Sequence, residues 1–184
     1  MNSKNRVKLN KAIEILNGLH FKNENIMVTG SIALDAQGVS NRIAHDVDFI
    51  IKMDEQAWRC LKLIEAINLD DEDEASKDYD LSERKKMIIL NVDGLILNIW
   101  KYDEESDWSC IKDSETGVYV ATVNHIIEAK KKYARDKDFK DIYKIIKGLV
   151  WNSNSMEDMV PSYVKSVVLF SKKEAKSQNM CGKQ

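Results

Sequence analysis

The spacing of apolar and polar residues predicts alternating helices and short strands in the first half of the chain. Apolar side chains three and four residues apart mark amphipathic helices, and short unbroken apolar runs beside turn residues mark buried strands. Gly38 closes the second helix, and Asp54 stands where the third needs an N-cap. The predicted order is a helix over 4–19, a strand over 26–29, a helix over 31–37, a strand over 46–51 and a helix over 54–68.

A β-hairpin is the clearest local signal in the second half. Two strand-like runs, 87–92 and 95–102, flank Asp93-Gly94, the dipeptide that favours a tight two-residue turn. The acidic stretch 69–80 predicts a loop, and the polar stretch 103–117 shows no strand pattern. After it, the pattern predicts a short strand over 118–120 and helices over 123–134, 137–150 and 161–173.

This element order predicts an α+β fold, with a small mixed β-sheet flanked by helices and a C-terminal helical part. Residues 1–120 are predicted to form the core. Residues 121–173 are the helical part of the same domain, and residues 174–184 are a disordered tail.

Charge changes this picture only locally. The 184 residues hold 28 Lys and Arg against 30 Asp and Glu, a net charge of −2, which argues against a dedicated nucleic-acid-binding protein. Residues 65–80, however, hold eight acids and one Lys, whereas residues 130–147 hold eight Lys or Arg and three Asp. The basic stretch is compatible with an anionic ligand.

Membrane and secreted classes are not indicated. No apolar run approaches the roughly 18 residues of a membrane span, and the charged N-terminus lacks a signal-peptide core. The three cysteines, Cys60, Cys110 and Cys181, are an odd number and form neither a CxxC pair nor a zinc pattern. A cytoplasmic protein with reduced thiols and no membrane partner is therefore expected.

The first candidate for chemistry is Gly30-Ser31, between a predicted strand and helix. A glycine lets the backbone approach a ligand closely, and a serine hydroxyl can donate to a phosphate. A plain turn with Ser31 as N-cap explains the same residues. Asp35, later on this helix, is expected at the surface.

The second candidate is Asp46-Val47-Asp48. Residues two apart on a strand share a face, so both carboxylates are expected on one side and Val47 on the other. Paired carboxylates repel unless a cation lies between them, and Mg²⁺ suits such a pair together with phosphate oxygens. An acidic strand end without a ligand is the alternative.

Together these motifs resemble a known family. Residues 28–51, VTGSIALDAQGVSNRIAHDVDFII, are similar to the signature of the DNA polymerase beta-type nucleotidyltransferase superfamily, in its small antibiotic-type and abortive-infection toxin-like members. The resemblance implies that Asp46 and Asp48 hold Mg²⁺ and act in catalysis, while Gly30 and Ser31 bind the phosphates of an NTP. It also implies a toxin–antitoxin or phage-defence setting.

A second segment, HIIEAKKKYARDKDFKDI over 125–142, resembles a later motif of the toxin-like members. The resemblance implies active-site roles for Lys130 and Asp138, with Lys130 steadying the triphosphate. A solvated basic helix is the alternative for this segment.

The implied activity is transfer of NMP from Mg·NTP to a hydroxyl or phosphate acceptor, with release of pyrophosphate. The acceptor could be an RNA end, a protein or a small molecule. One departure matters: members of the superfamily carry a third carboxylate on a later strand, where this chain has Asn98, which cannot accept a proton at neutral pH. A catalytically impaired nucleotide-binding module and an α+β interaction protein are the alternatives. Trp108 is a weaker candidate for stacking on adenine.

Overall fold

The fold is α+β, as predicted, and is seen in a computed structural model that describes residues 1–68, 86–104, 108–133 and 136–152. Its strands are β1 Ile26–Thr29, β2 Asp46–Ile51, β3 Met87–Val92, β4 Leu95–Lys101, β5 Cys110–Lys112 and β6 Tyr119–Ala121. Its α-helices are α1 Ser3–Gly18, α2 Gly30–Ala36, α3 Glu55–Asn68, α4 Val123–Tyr133 and α5 Asp136–Asn152. A 3-10 turn at Asn23–Asn25 leads into β1.

The described strands form one six-stranded mixed sheet in the order β3-β4-β2-β1-β6-β5. The pairs β3–β4, β1–β2 and β5–β6 are antiparallel, and the pairs β2–β4 and β1–β6 are parallel. The central strands β2 and β1 therefore run in opposite directions, so the start of β2 lies beside the end of β1. That edge carries Asp48 opposite Thr29.

The two faces of β2 differ in burial. Val47, Phe49 and Ile51 are completely buried, whereas Asp46 and Asp48 on the other face are half-buried. This alternation follows from the two-residue repeat of a strand, and it confirms that both carboxylates project from one side. The buried face is continued by β4 through Leu97 and Ile99.

The predicted strands and helices in the described range are confirmed, with shifts of one or two residues at their ends. Asp54 caps α3 as expected, since its Oδ1 accepts from the backbone N–H of Ala57 at 2.7 Å. The hairpin turn also holds: Asp93 and Gly94 have φ of 50° and 75°, the pair of positive values that a type I′ turn requires.

One strand was missed. Residues 103–117 were expected to contain no strand, but Cys110–Lys112 forms β5 at the sheet edge. Its three residues show no alternation that single-sequence pattern could detect, and pairing with β6 supplies its order. The predicted loop 69–80, helix 161–173 and tail 174–184 lie outside the described residues.

Helix α3 covers the other edge of the sheet. Glu65, which is 9% exposed, accepts from the backbone N–H of Ile89 on β3 at 2.8 Å, and Lys62 donates to the carbonyl of Met87. These contacts satisfy backbone groups that an edge strand would otherwise offer to another chain.

The chain divides into two compact units, the first spanning Met1–Arg135 and the second beginning at Asp136. The first holds the sheet with α1 to α4, and the second is described through α5. The predicted boundaries at 120 and 173 stay predictions. In the described part of the chain, no helix combines the length and apolar character needed to cross a bilayer.

Candidate functional site

Asn98 brings the two predicted metal ligands together. In the parallel register of β2 and β4, Asp48 lies opposite Asn98. The Asn98 Nδ2 donates to Asp46 Oδ2 at 2.8 Å and to Asp48 Oδ1 at 3.1 Å. One amide group therefore bridges both carboxylates and supplies the positive ends of two N–H bonds where the two negative charges converge.

The other atom of this amide has no partner. Asn98 is 1% exposed, and its Oδ1 is buried without a hydrogen bond in the described part of the chain. A buried unsatisfied oxygen costs about 1–3 kcal/mol, so the arrangement retains unused capacity to accept a bond or bind a cation.

Gly30 lies directly against Asp48. A Cβ built on Gly30 would fall 2.0 Å from Asp48 Oδ2 and 2.9 Å from its Cγ. Gly30 also has φ +62°, a conformation that residues with side chains rarely adopt. The sequence predicted Gly30 for a close approach to phosphate; the structure shows a close approach to the Asp48 carboxylate.

Ser31 follows Gly30 in the first turn of α2. The N-cap of this helix is Thr29, whose side chain makes no capping bond, so Ser31 is not the cap. Ser31 is half-buried, one residue from the contact between Gly30 and Asp48.

Lys8 of α1 is a neighbour of this site that the sequence did not reveal. Its ammonium donates to the carbonyls of Ala44 and His45, the two residues that precede Asp46. The contact spans 36 residues of sequence, so local pattern carries no signal for it. It places a positive charge beside the start of β2.

A buried polar network fixes the segment before β2. Asn5 is fully buried; its Nδ2 donates to Asp35 Oδ2 at 2.7 Å and to the carbonyl of Arg42 at 2.9 Å. Its Oδ1 accepts from the backbone N–H of Ala44 at 2.9 Å. Asp35 also accepts from the backbone N–H of Asn2 at 2.9 Å. Asp35 was expected at the surface; it is 5% exposed, because Asn5 and Asn2 supply its partners.

Lys130 and Asp138 belong to different compact units of the chain. Lys130 is half-buried in the last turn of α4, which packs on α2. Asp138 is completely buried and belongs to the second unit. Their active-site roles stay predictions.

Trp108 belongs to an aromatic cluster with Tyr102 and Tyr119. Its ring lies edge-on to Tyr102 with centroids 4.8 Å apart and to Tyr119 at 6.0 Å, and Lys52 Nζ lies 4.1 Å from its centroid. Lys52 follows the far end of β2, six residues and about 20 Å along the strand from Asp46. The stacking of Trp108 on adenine stays a prediction.

Two carboxylates elsewhere have shifted pKa values. At Asp113, burial opposes ionisation, but Arg6 at 2.7 Å and the Thr116 hydroxyl at 2.6 Å donate to the carboxylate and leave its pKa below the ordinary 3.8. At the exposed Glu55, the ammonium of Lys101 at 2.8 Å lowers the pKa below 4.5. Both carboxylates belong to the first unit, and neither bonds to Asp46, Asp48 or Asn98 in the contacts given for them.

The donor set fits a hard cation. Within the ranges that the structure describes, no three or more His, Cys, Asp or Glu side chains are grouped to hold a metal ion. The set at β2 and β4 is of another kind, two carboxylates and one amide. A half-turn of the Asn98 side chain exchanges its NH2 and oxygen, which would offer the unsatisfied Oδ1 beside Asp46 and Asp48. Mg²⁺ prefers oxygen ligands of these types.

Comparison with family models and curated proteins identified no match. The geometry of Asp46, Asp48, Asn98 and Gly30 carries the functional inference.

Proposed function

We propose that the protein binds a nucleoside triphosphate together with Mg²⁺ at the edge formed by β2, β4 and the start of α2. The observation that carries this proposal is the convergence of Asp46 and Asp48 on one buried amide whose oxygen is unsatisfied. Two carboxylates held within hydrogen-bonding distance of one group repel, and a cation relieves that repulsion better than a neutral amide does.

In this proposal Asp46 and Asp48 hold the Mg²⁺, with Asn98 adding a neutral oxygen. When bound, the ion would neutralise charge on the triphosphate and polarise its α-phosphate. The chain's own residues position the ligand: Gly30, which lacks a side chain, leaves room for the Asp48 carboxylate, and Ser31 and Lys130 are assigned to the phosphates on the resemblance of the sequence.

Transfer of NMP is the proposed reaction of this site. An acceptor oxygen would bond to the α-phosphorus, the bond to the β-phosphate oxygen would break, and pyrophosphate would leave. Asn98 cannot take the proton of an attacking hydroxyl, so that proton would go to Asp46 or Asp48. The acceptor class, whether RNA end, protein or small molecule, is left open. The proposed location is the cytoplasm, which supplies NTP and Mg²⁺.

A nucleotide-binding module without turnover is the second candidate. Asn98 favours it, because the amide occupies the inward position between the carboxylates where an acid could serve as the base. In this case the bound NTP would act as a regulatory ligand.

Calorimetric titration with each Mg·NTP tests binding. The wild type is expected to bind in Mg²⁺ and not in EDTA, and D46A/D48A is expected to lose that binding while keeping its fold by circular dichroism. D54N, which alters an exposed carboxylate at the cap of α3, is the matched control. Absence of binding by folded wild type would overturn the proposal. Labelled NTP incubated with a lysate as acceptor pool separates transfer from binding alone.

A further inference from the structure

Helix α5 exposes aromatic and basic residues on one face. Phe139 and Tyr143 are 57% and 56% exposed, and Lys140, Lys144 and Lys147 are exposed beside them. Spacings of three and four residues place these five side chains along one side of the helix. We call Phe139, Lys140, Tyr143, Lys144 and Lys147 the aromatic-lysine face.

The opposite side of α5 already supplies the packing surface of the helix. Ile142, Ile145 and Ile146 are 3–4% exposed, and Asp138 is completely buried. An ordinary solvent face carries polar residues, so two exposed rings are not explained by the folding of this helix. Both rings are therefore accessible to a ligand at the surface of α5.

The charge of the face selects the kind of partner. Among the side chains described between 138 and 147, the three lysines are exposed, while the acids lie elsewhere: Asp138 is buried and Asp141 is half-buried. The face therefore presents three positive charges to a ligand that must be anionic. Two rings four residues apart lie about 6 Å apart along the helix axis, so each can take a separate flat group.

We propose that the aromatic-lysine face binds single-stranded nucleic acid, with Phe139 and Tyr143 stacking on unpaired bases and the three lysines contacting phosphates. Base–aromatic stacking tolerates any sequence, because every base has a flat face. A lipid surface suits this face less well, because membrane-binding helices insert a broad apolar side, and the isoleucines of α5 are buried. This binding does not depend on the Mg·NTP site.

Fluorescence anisotropy of the full-length protein with fluorescein-labelled U20 and dT20 tests the proposal. F139A/Y143A is expected to weaken binding at least about 30-fold, since it removes two stacked bases worth about 1–3 kcal/mol each. F139Y/Y143F keeps both rings and is expected to bind like the wild type. Three phosphate contacts predict a loss of affinity of about 20-fold between 50 and 200 mM NaCl.

Charge-matched variants separate this face from general electrostatics. K140A/K144A/K147A is expected to lose most of the affinity and the salt dependence. K4A/K22A/K112A removes the same charge from exposed positions of the first unit and is expected to bind normally. Equal losses in the two triple variants would overturn the proposal.

Three further outcomes would also overturn it. One is the absence of binding to either strand by folded protein. Another is binding to anionic phosphatidylserine vesicles without binding to the oligonucleotides. The third is a fall in melting temperature of F139A/Y143A with unchanged binding, which would assign the rings to packing. A preference between U20 and dT20 would identify RNA or DNA as the ligand. D46A/D48A is expected to bind both strands normally, so failure of the nucleotide site and failure of this face are distinguishable.

Discussion

Gly30 and Asp48 fit together so closely that a single added carbon would be excluded. The carboxylate oxygen of Asp48 lies 2.0 Å from the place of a Cβ on Gly30, and Gly30 has a positive φ. The start of α2 and the second carboxylate of β2 thus form one packed unit, in which the position of Asp48 depends on the absence of a side chain at Gly30.

Substitution of Gly30 should therefore lower the free energy of unfolding for two separate reasons. G30A is expected to lose about 1 kcal/mol through its positive φ and at least as much again through the clash with Asp48. G38A is the matched control, since Gly38 has φ +70° but nothing within 4 Å of a built Cβ. Urea denaturation measures both, and equal losses in the two variants would refute the role of the contact.

A double variant isolates the clash. In the D48A background the carboxylate is gone, and G30A should then cost clearly less than in the wild type, since only the 3.3 Å contact with the Cβ of position 48 remains. A cost of G30A that is unchanged in D48A would assign the effect to backbone conformation alone.

Asn98 should determine how the protein responds to Mg²⁺. N98D places a third carboxylate against Asp46 and Asp48 and removes both donated bonds. A loss of about 2–4 kcal/mol is expected in EDTA, and millimolar Mg²⁺ should restore most of it. Thermal melts with and without Mg²⁺ measure this. N98D that is as stable as the wild type in EDTA would contradict the bridging role.

A charge exchange provides the control for N98D. D46N/N98D moves the amide to position 46 and restores a set of two carboxylates and one amide. Its melting temperature in EDTA should lie close to that of the wild type. If the double variant is no more stable than N98D, repulsion among carboxylates is not the cause.

Asn5 should contribute more to stability than its polar character suggests. N5A removes one of the two donors to the buried Asp35 carboxylate and the acceptor of the Ala44 N–H, at an expected cost of about 3 kcal/mol. D35N keeps an acceptor for Asn5 and should cost less. N10A, at an exposed position of the same helix, should change stability by less than about 0.5 kcal/mol. A small effect of N5A in urea denaturation would show that the network is dispensable.

The lowered pKa of Asp113 predicts the pH range over which its ion pair with Arg6 stabilises the fold. The ionised carboxylate is favoured in the folded chain, so its contribution is fully present above the ordinary pKa of 3.8 and is lost as pH falls through the lower folded value. D113N should cost about 1 kcal/mol at pH 7, and the difference from wild type should shrink as pH falls below 3.8 and vanish below the folded pKa.

The pair Lys11–Asp93 is the control for this pH dependence. Its charged atoms are 3.6 Å apart and the Asp93 side chain is 81% exposed, so D93N should have little effect at any pH. A D113N effect that persists unchanged at pH 3 would show that the carboxylate acts through its neutral hydrogen bonds.

Local pattern predicted the elements whose cause is local. The hairpin at Asp93-Gly94 follows from two residues that accept positive φ, and the shared face of Asp46 and Asp48 follows from the two-residue repeat of β2. Strand β5 has no such local pattern, since its extended conformation depends on hydrogen bonds with β6. It was therefore missed.

The contacts that shape the site join residues far apart in the chain. Asn98 reaches Asp46 across 52 positions, and Asn5 reaches Asp35 across 30. The sequence identified Asn98 as a departure from the expected carboxylate, but its bond to both acids needs the register of β2 and β4. No sequence pattern near Asp35 indicated that it is buried, because its hydrogen-bond partners are Asn5 of α1 and Asn2, the N-cap of α1.

Paramagnetic broadening by Mn²⁺ can show whether a cation binds between Asp46, Asp48 and Asn98. Mn²⁺ accepts the same oxygen ligands as Mg²⁺, so it can report the position of the cation in the NMR spectrum of labelled protein. We predict that Mn²⁺ with NTP broadens the side-chain NH2 signals of Asn98. These signals are assigned by their absence from the spectrum of N98D. The D46A/D48A variant should retain its fold and show no broadening. Sharp Asn98 signals in a wild-type protein saturated with Mn²⁺ and NTP would place the cation elsewhere and exclude a site at Asp46, Asp48 and Asn98.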